Sequence, residues 1–476
     1  MSSASNVPWS YAKKKWLSLI AASFGMFLGS MDITVNVALP NITSSFGTDI
    51  QTVQWIIIFY VGSTTGLQLS LGSAADIYGL KRFYIAGLAI YTLAVLLIGM
   101  APSLSIVFGL RALQAVGIGL ILASVPALVT RIFSPEERGR GLGLMSGIAV
   151  LGLITGSLGG GMLVDTWGWR AIFLARVPLG ILAIVLALVV LREQRESESS
   201  RSFDFRGGLT LFVALVALIL FLTLGGRIGW AAPQVLALAA LSAGLLIGFV
   251  LLEKTAYRPI LDLALLRHRV LAPVMVASYL MFMATFVNWF ILPFYISGTL
   301  GADAKVLGFL LMLMAALGAV TAPIGGWLSD RMSPAYLTTL AIMIAAVALF
   351  WFSRLDASSS VADVAIRMAV IGIGIGLFQA ANATLIMGTV PSDRLGTGGA
   401  ILSLSRSMGT VSSVAIMSAL FASRLSEHTA TLLPGNEKQA FVLAFQETYL
   451  IAGILAAVAT VVSLSYWPLV LRRRSR

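Results

Sequence analysis

Apolar runs of about 20 residues, the length a helix needs to cross some 30 Å of hydrocarbon, recur along the whole of this 476-residue chain. Backbone inside lipid must satisfy its own hydrogen bonds, so runs of this kind are expected to be helical. Composition agrees, with 58% hydrophobic and only 11% charged residues, where a soluble protein carries roughly a quarter charged. The expected class is an all-α polytopic membrane protein. A net charge of +12 would suit a nucleic-acid partner if the bases shared one polar face, but they are dispersed through short loops, so no nucleic acid is expected. With no cysteine, the chain has no disulfides, thiolate nucleophiles or Cys-ligated metals. The run from Trp16 to Leu39 follows a basic stretch, yet it is too long for a signal peptide and lacks a cleavage-like end. It reads as the first span.

About fourteen spans are predicted, beginning near Trp16, Gln51, Arg82, Leu104, Arg140, Trp169, Gly207, Pro233, Val270, Ala304, Ala335, Val361, Thr397 and Phe445. This count puts 22 basic residues on the side of the N-terminus and six opposite. The bias of Lys and Arg then predicts cytoplasmic termini and an even number of spans. The charged, Ser-rich stretch Arg192 to Arg206 interrupts the apolar rhythm, and after two more spans the chain starts over. Gly72–Arg82 (GSAADIYGLKR) is echoed by Gly326–Arg331 (GWLSDR), Asp76 and Asp330 being 330 − 76 = 254 residues apart. Arg111 and Arg367 repeat at 367 − 111 = 256, and Pro40 and Pro293 at 293 − 40 = 253. Duplicated halves of this kind build many secondary transporters, with the solute site at mid-membrane between them. The expected organisation is a six-helix bundle over residues 1–195, a linker with two additional helices over 196–268, and a second six-helix bundle over 269–476.

These repeats and the motifs within them resemble the major facilitator superfamily, specifically its fourteen-helix drug:proton antiporters. Met31–Pro40 (MDITVNVALP) looks like that family's first-helix signature. Gly72–Arg82 resembles the loop between the second and third helices, with Ile77 in place of the usual arginine. Arg111–Gly117 (RALQAVG) is similar to the fourth-helix motif associated with proton transfer. Gly152–Gly160 (GLITGSLGG) resembles the fifth-helix antiporter motif, its Gly-Pro pair replaced by Gly156-Ser157. Trp169–Gly180 (WRAIFLARVPLG) looks like the start of the sixth helix, with Arg176 where asparagine is usual. The resemblance implies two six-helix bundles, proton-coupled efflux of drugs by alternating access, and no enzymatic activity. It also implies no cofactor beyond the proton-motive force.

The residues carry their own argument. Asp32 is the one acidic residue deep inside a predicted span, where a lone carboxylate must be neutral, paired or hydrated. Gly25, Gly29, Asp32 and Asn36 share one helical face, small and polar as a cavity wall would be. Asp32 and Arg111 each lie seven residues from the outer ends of their spans, so they sit at a common depth roughly 10 Å in. Asp32 is the expected proton carrier, with Arg111 offsetting the cost of burying its charged form; a purely structural ion pair is the alternative. Arg176, Arg367 and Arg406 have no evident intramembrane acid. The first two are expected to snorkel outward, and Arg406 to bond helix-end carbonyls or an anionic substrate group.

Further expectations concern packing and substrate. Gly152, Gly156 and Gly160, with Gly159 beside them, form a small-residue ribbon for close helix packing. Gly72, Asp76, Gly79, Lys81 and Arg82, with Asp330 and Arg331, are expected to act as a conformational latch or as ordinary basic turns. Phe282, Phe286 and Trp289 recur at helical spacing and either hold flat compounds or face lipid. Asn36, Gln114, Gln379, Asn382 and Arg406 complete the candidate cavity. The chain is expected to be a multi-pass bacterial cytoplasmic-membrane protein, working as a monomer with small-molecule substrate, protons and lipid as partners. A dedicated carrier of one metabolite or organic anion is the alternative. A membrane enzyme or metal site is disfavoured, since His268 and His428 are isolated in loops.

Overall fold

The computed structural model describes residues 9–64, 67, 79–133, 137–191, 205–255, 268–390, 395–432 and 435–468. Among these, thirteen helices are long and apolar enough to span a bilayer, and there is no strand. The remaining expected span, beginning near Gln51, is helical over residues 55–64 and then leaves the described residues, as do Gly72 and Asp76.

The first half comprises α1 (Trp9–Met31), α2 (Thr34–Ser45), α3 (55–64), α4 (Leu80–Gly99), α5 (Leu104–Ile132), α6 (Arg138–Trp167), α7 (Arg170–Leu174) and α8 (Arg176–Val190). The additional pair is α9 (Phe205–Ile228) and α10 (Pro233–Thr255). The second half comprises α11 (Leu271–Thr285), α12 (Ala304–Arg331), α13 (Pro334–Phe352), α14 (Val361–Met387), α15 (Leu395–Ser412), α16 (Ser418–Thr431) and α17 (Glu437–Leu464). The 28 residues of α12 extend about 42 Å at 1.5 Å each, so this helix is long enough to cross the hydrocarbon with tilt.

The halves repeat in detail. Leu80 and Pro334 open corresponding helices at 334 − 80 = 254, and Leu104 and Val361 at 361 − 104 = 257. Even the irregularities correspond. The first helical path breaks at Asp32, and α11 gives way to a 3₁₀ turn at Phe286, at 286 − 32 = 254. Each break has a local cause. Pro293 crowds the carbonyl four residues before it, at Trp289, whereas at Asp32 the Met31 carbonyl is taken by side chains, the Arg176 Nη2 at 2.7 Å and the Thr34 hydroxyl. The break overturns the expectation of one straight face from Gly25 to Asn36. Gly25 instead faces Tyr84 and Ile121, and Gly29 faces Ile118, so this face is a packed surface rather than a cavity wall.

Helix α6 works in two directions. Gly152, Gly156 and Gly160 face Phe27, Met31 and Thr34, where an added Cβ would fall 2.3 Å from the Phe27 carbonyl oxygen. Gly159 has open space around it and takes no part in this packing. A second stripe of α6, Ser157, Gly161 and Asp165, crosses to the other bundle. A Cβ on Gly161 would lie 2.4 Å from the Ala304 carbonyl oxygen, and one on Gly308 the same distance from that of Ser157. Asp303, at the N-cap of α12, makes no side-chain capping bond. The cap comes from the other bundle: Asp165 Oδ1 and Oδ2 accept from the backbone N–H groups of Ala304 and Lys305, both at 3.0 Å. This seam closes one end of the molecule, leaving there a cavity of about 180 Å³ bordered by Pro40, Asn41, Asp165, Ser297 and Asp303.

The additional pair is tied together by Ser242, whose hydroxyl donates to the Ala214 carbonyl at 3.1 Å. Ile219 of α9 reaches Gly62 of α3, and α9 also packs against residues 413–417 of the second half. The pair therefore touches both bundles.

Candidate functional site

The break at Asp32 aims its carboxylate into the centre of the first bundle, where its side chain is 4% exposed. Four helices supply donors to it. Oδ1 accepts from Arg176 Nη1 at 2.6 Å, Gln114 Nε2 at 2.8 Å and the Tyr91 hydroxyl at 3.0 Å. Oδ2 accepts from the Tyr60 hydroxyl. A carboxylate is acceptor-only when ionised and offers about four lone-pair positions. Oδ1 takes three of these donors and Oδ2 one, so the position left for a proton is on Oδ2, beside Tyr60. Tyr60, half-buried, is the most accessible member of the cluster.

The direct counter-ion is Arg176, and this corrects the sequence expectation on two points. Arg176 does not snorkel: it is 1% exposed, paired with Asp32, and its Nε has no hydrogen-bond partner. Arg111, the expected partner, stands one step back. Its Nη1 donates to Gln114 Oε1 at 2.6 Å, its Nε to the Ile56 carbonyl at 3.3 Å, and its guanidinium lies 4.1 Å from the Tyr60 ring centroid. Gln114 thus joins the two charges, donating to Asp32 and accepting from Arg111. A signal for Arg176 was present, because it lies seven residues into its span from Trp169, at the depth of Asp32 and Arg111.

The other sequence candidates separate. Asn36, Gln114 and Asn382 are buried among helices rather than lining an open surface. Phe282, Phe286 and Trp289 are half-buried, but the 3₁₀ turn at Phe286 ends the helical stripe expected of them. Phe282 pairs edge-to-face with Phe378 of α14 at 5.6 Å. Gln379 and Arg406 are exposed. Arg367 reaches the loop end of its helix, donating to the Trp351 and Asp363 carbonyls, with the Asp363 carboxylate 3.7 Å away. Of the latch candidates, Gly79 adopts φ 101 at the start of α4, a conformation that favours glycine. Lys81 bonds the Leu188 and Leu191 carbonyls at the C-terminal end of α8, a favourable place for a cation. Arg331 stacks on Trp327 at 3.9 Å, and Asp330 beside it is exposed.

Two repeated helical bundles, a sealed seam at one end and a charged cluster buried in one bundle define a polytopic membrane transporter rather than an enzyme. The sequence profile of the Major Facilitator Superfamily matches residues 17–414 and again 274–476, and the chain belongs to that superfamily. It is 31% identical over 429 residues to multidrug resistance protein Stp of Mycobacterium tuberculosis (strain CDC 1551 / Oshkosh), covering 89% of this chain and 78% of that one. It is 26% identical to the riboflavin transporter RibZ of Clostridioides difficile (strain 630), covering 95% and 98%. Among solved structures, a bacterial homologue of the human lysosomal transporter Spinster, inward-facing and unoccupied, superposes with TM-score 0.69 at 15% identity, covering 95% of this chain and 98% of that one.

Proposed function

We propose that this protein is a proton-coupled exporter of amphipathic small molecules, working by alternating access in a bacterial cytoplasmic membrane. The observation that carries the reading is the buried Asp32 carboxylate, held by four donors and paired with a single arginine. A proton reaching it cancels the charge that Arg176 pairs with, and the Asp32–Arg176 pair spans the break between α1 and α2 and the start of α8. Protonation and helix geometry are thereby coupled. Tyr60 provides the approach from the more open side. The naming of Stp as a multidrug resistance protein supports drug-like cargo.

In this reading residues 1–195 and 269–476 are the rocking bundles, and the protein acts as a monomer driven by the proton-motive force, with no cofactor. The charge bias makes the sealed end external and both termini cytoplasmic. Each proton moving inward across 100 mV supplies about 2.3 kcal/mol, enough to sustain a gradient near fiftyfold. A dedicated carrier is the second reading, favoured by the end-to-end likeness to RibZ. The test is dye export into everted vesicles energised by a pH gradient. Asp32→Asn should insert normally and lose uphill export; undiminished protonophore-sensitive export by that variant overturns the proposal.

A further inference from the structure

The membrane interior carries more positive than negative charge. Asp32 answers Arg176, and Arg367 is engaged at its helix end by Asp363. Arg111 and Arg406 have no carboxylate within ion-pairing distance among the described residues, so the interior holds two uncompensated cations. Arg111 is enclosed by Gln114, Tyr60 and the Ile56 carbonyl. Arg406 is exposed.

The position of Arg406 shows what that exposure faces. Thr410 and Ser413 lie four and seven residues on along the same helical surface, and both are buried. Gly409 abuts the Tyr279 carbonyl and Phe282. Arg406 therefore stands on the inward, packed side of its helix, where the packing opens. Its guanidinium lies 5.8 Å from the Phe282 ring centroid, and Phe282 in turn meets Phe378. One turn away on the same two helices, Ser278 donates to Asn382 Oδ1 at 3.0 Å. The Asn382 Nδ2, on a side chain 1% exposed, has no hydrogen-bond partner. A fixed cation and an aromatic pair thus come together in the second bundle, with an unused amide donor buried one helical turn from the rings.

Resting on the export reading, we propose that Arg406 and Phe282, backed by the buried Phe378, form a subsite for the carboxylate or sulfonate of a planar aromatic substrate. The guanidinium would hold the anion, and the Phe282 ring the adjoining ring system. The cargo would then be anionic or zwitterionic rather than cationic.

Carboxyfluorescein and rhodamine 6G share a xanthene ring and differ in charge, so they separate the alternatives by fluorescence anisotropy on purified protein in nanodiscs. Wild type is expected to bind carboxyfluorescein more tightly. Arg406→Gln should weaken that binding about tenfold or more, with rhodamine 6G changed less than about threefold, and Arg406→Lys should recover part of the loss. Carboxyfluorescein binding that is absent in wild type, weaker than that of rhodamine 6G, or unchanged in Arg406→Gln overturns the subsite. Proton-driven export by the wild type of rhodamine 6G but not of carboxyfluorescein, lost in Asp32→Asn, would sink the subsite while leaving the export reading intact.

Discussion

Asp32 and Arg176 are joined across 144 residues of sequence, and each is less than one-tenth exposed. Removing one member of such a pair strands the other charge in a low-dielectric interior, at a cost of about 3–5 kcal/mol. Asp32→Asn and Arg176→Gln are therefore each expected to lower stability by about that amount in detergent denaturation. The double variant should lose clearly less than the sum. Asp32→Asn combined with Arg111→Gln should show the weaker coupling, because Arg111 reaches the carboxylate only through Gln114 and Tyr60. Equal coupling through both arginines would contradict the assignment. The sequence pointed to Asp32 and to the common depth of the charges, but the choice between two arginines turned on a helix break that exposes the Met31 carbonyl. Tyr60 and Tyr91 were invisible for another reason: an aromatic side chain in an apolar run looks the same whether it faces lipid or a carboxylate.

At the scale of the helix, α6 serves both bundles at once, with a glycine ribbon toward α1 and α2 and the Ser157–Gly161–Asp165 stripe toward α12. The ribbon could be read from spacing alone because small residues four apart have one structural meaning wherever the neighbour lies. The second stripe could not, since its meaning comes from Ala304 and Gly308 in the other half. Asp165 replaces a cap that Asp303 does not make, in contrast to α14, where Ser360 and Asp363 form a capping box within the helix itself. Asp165→Ala should leave the first amides of α12 unpaired when the seam is shut, and Gly161→Leu should wedge it apart. Spin labels at Asn41→Cys and Lys305→Cys are straightforward because the chain has no native cysteine. Both variants are expected to move the label-to-label distribution to longer distances by several ångström, the size of a side chain inserted at van der Waals contact. An unchanged distribution would mean that the seam does not depend on this stripe.

For the molecule as a whole, lipid makes hydropathy nearly sufficient: every span must hydrogen-bond internally, so helix number and order follow from apolar length. Thirteen of the expected spans stand among the described residues, and the offset near 254 recurs in helix starts and in helix breaks. What hydropathy leaves open is which charges meet, and the energetic cycle depends on that. Proton exchange at Asp32 is the central claim, tested most directly in lightly buffered nanodiscs containing a pH-reporting dye, to which carboxyfluorescein or rhodamine 6G is added in turn. By linkage, binding of the transported probe to the wild type should release protons, approaching about one per site, and Asp32→Asn should bind the same probe with no release. Proton release of equal size from Asp32→Asn would contradict the account.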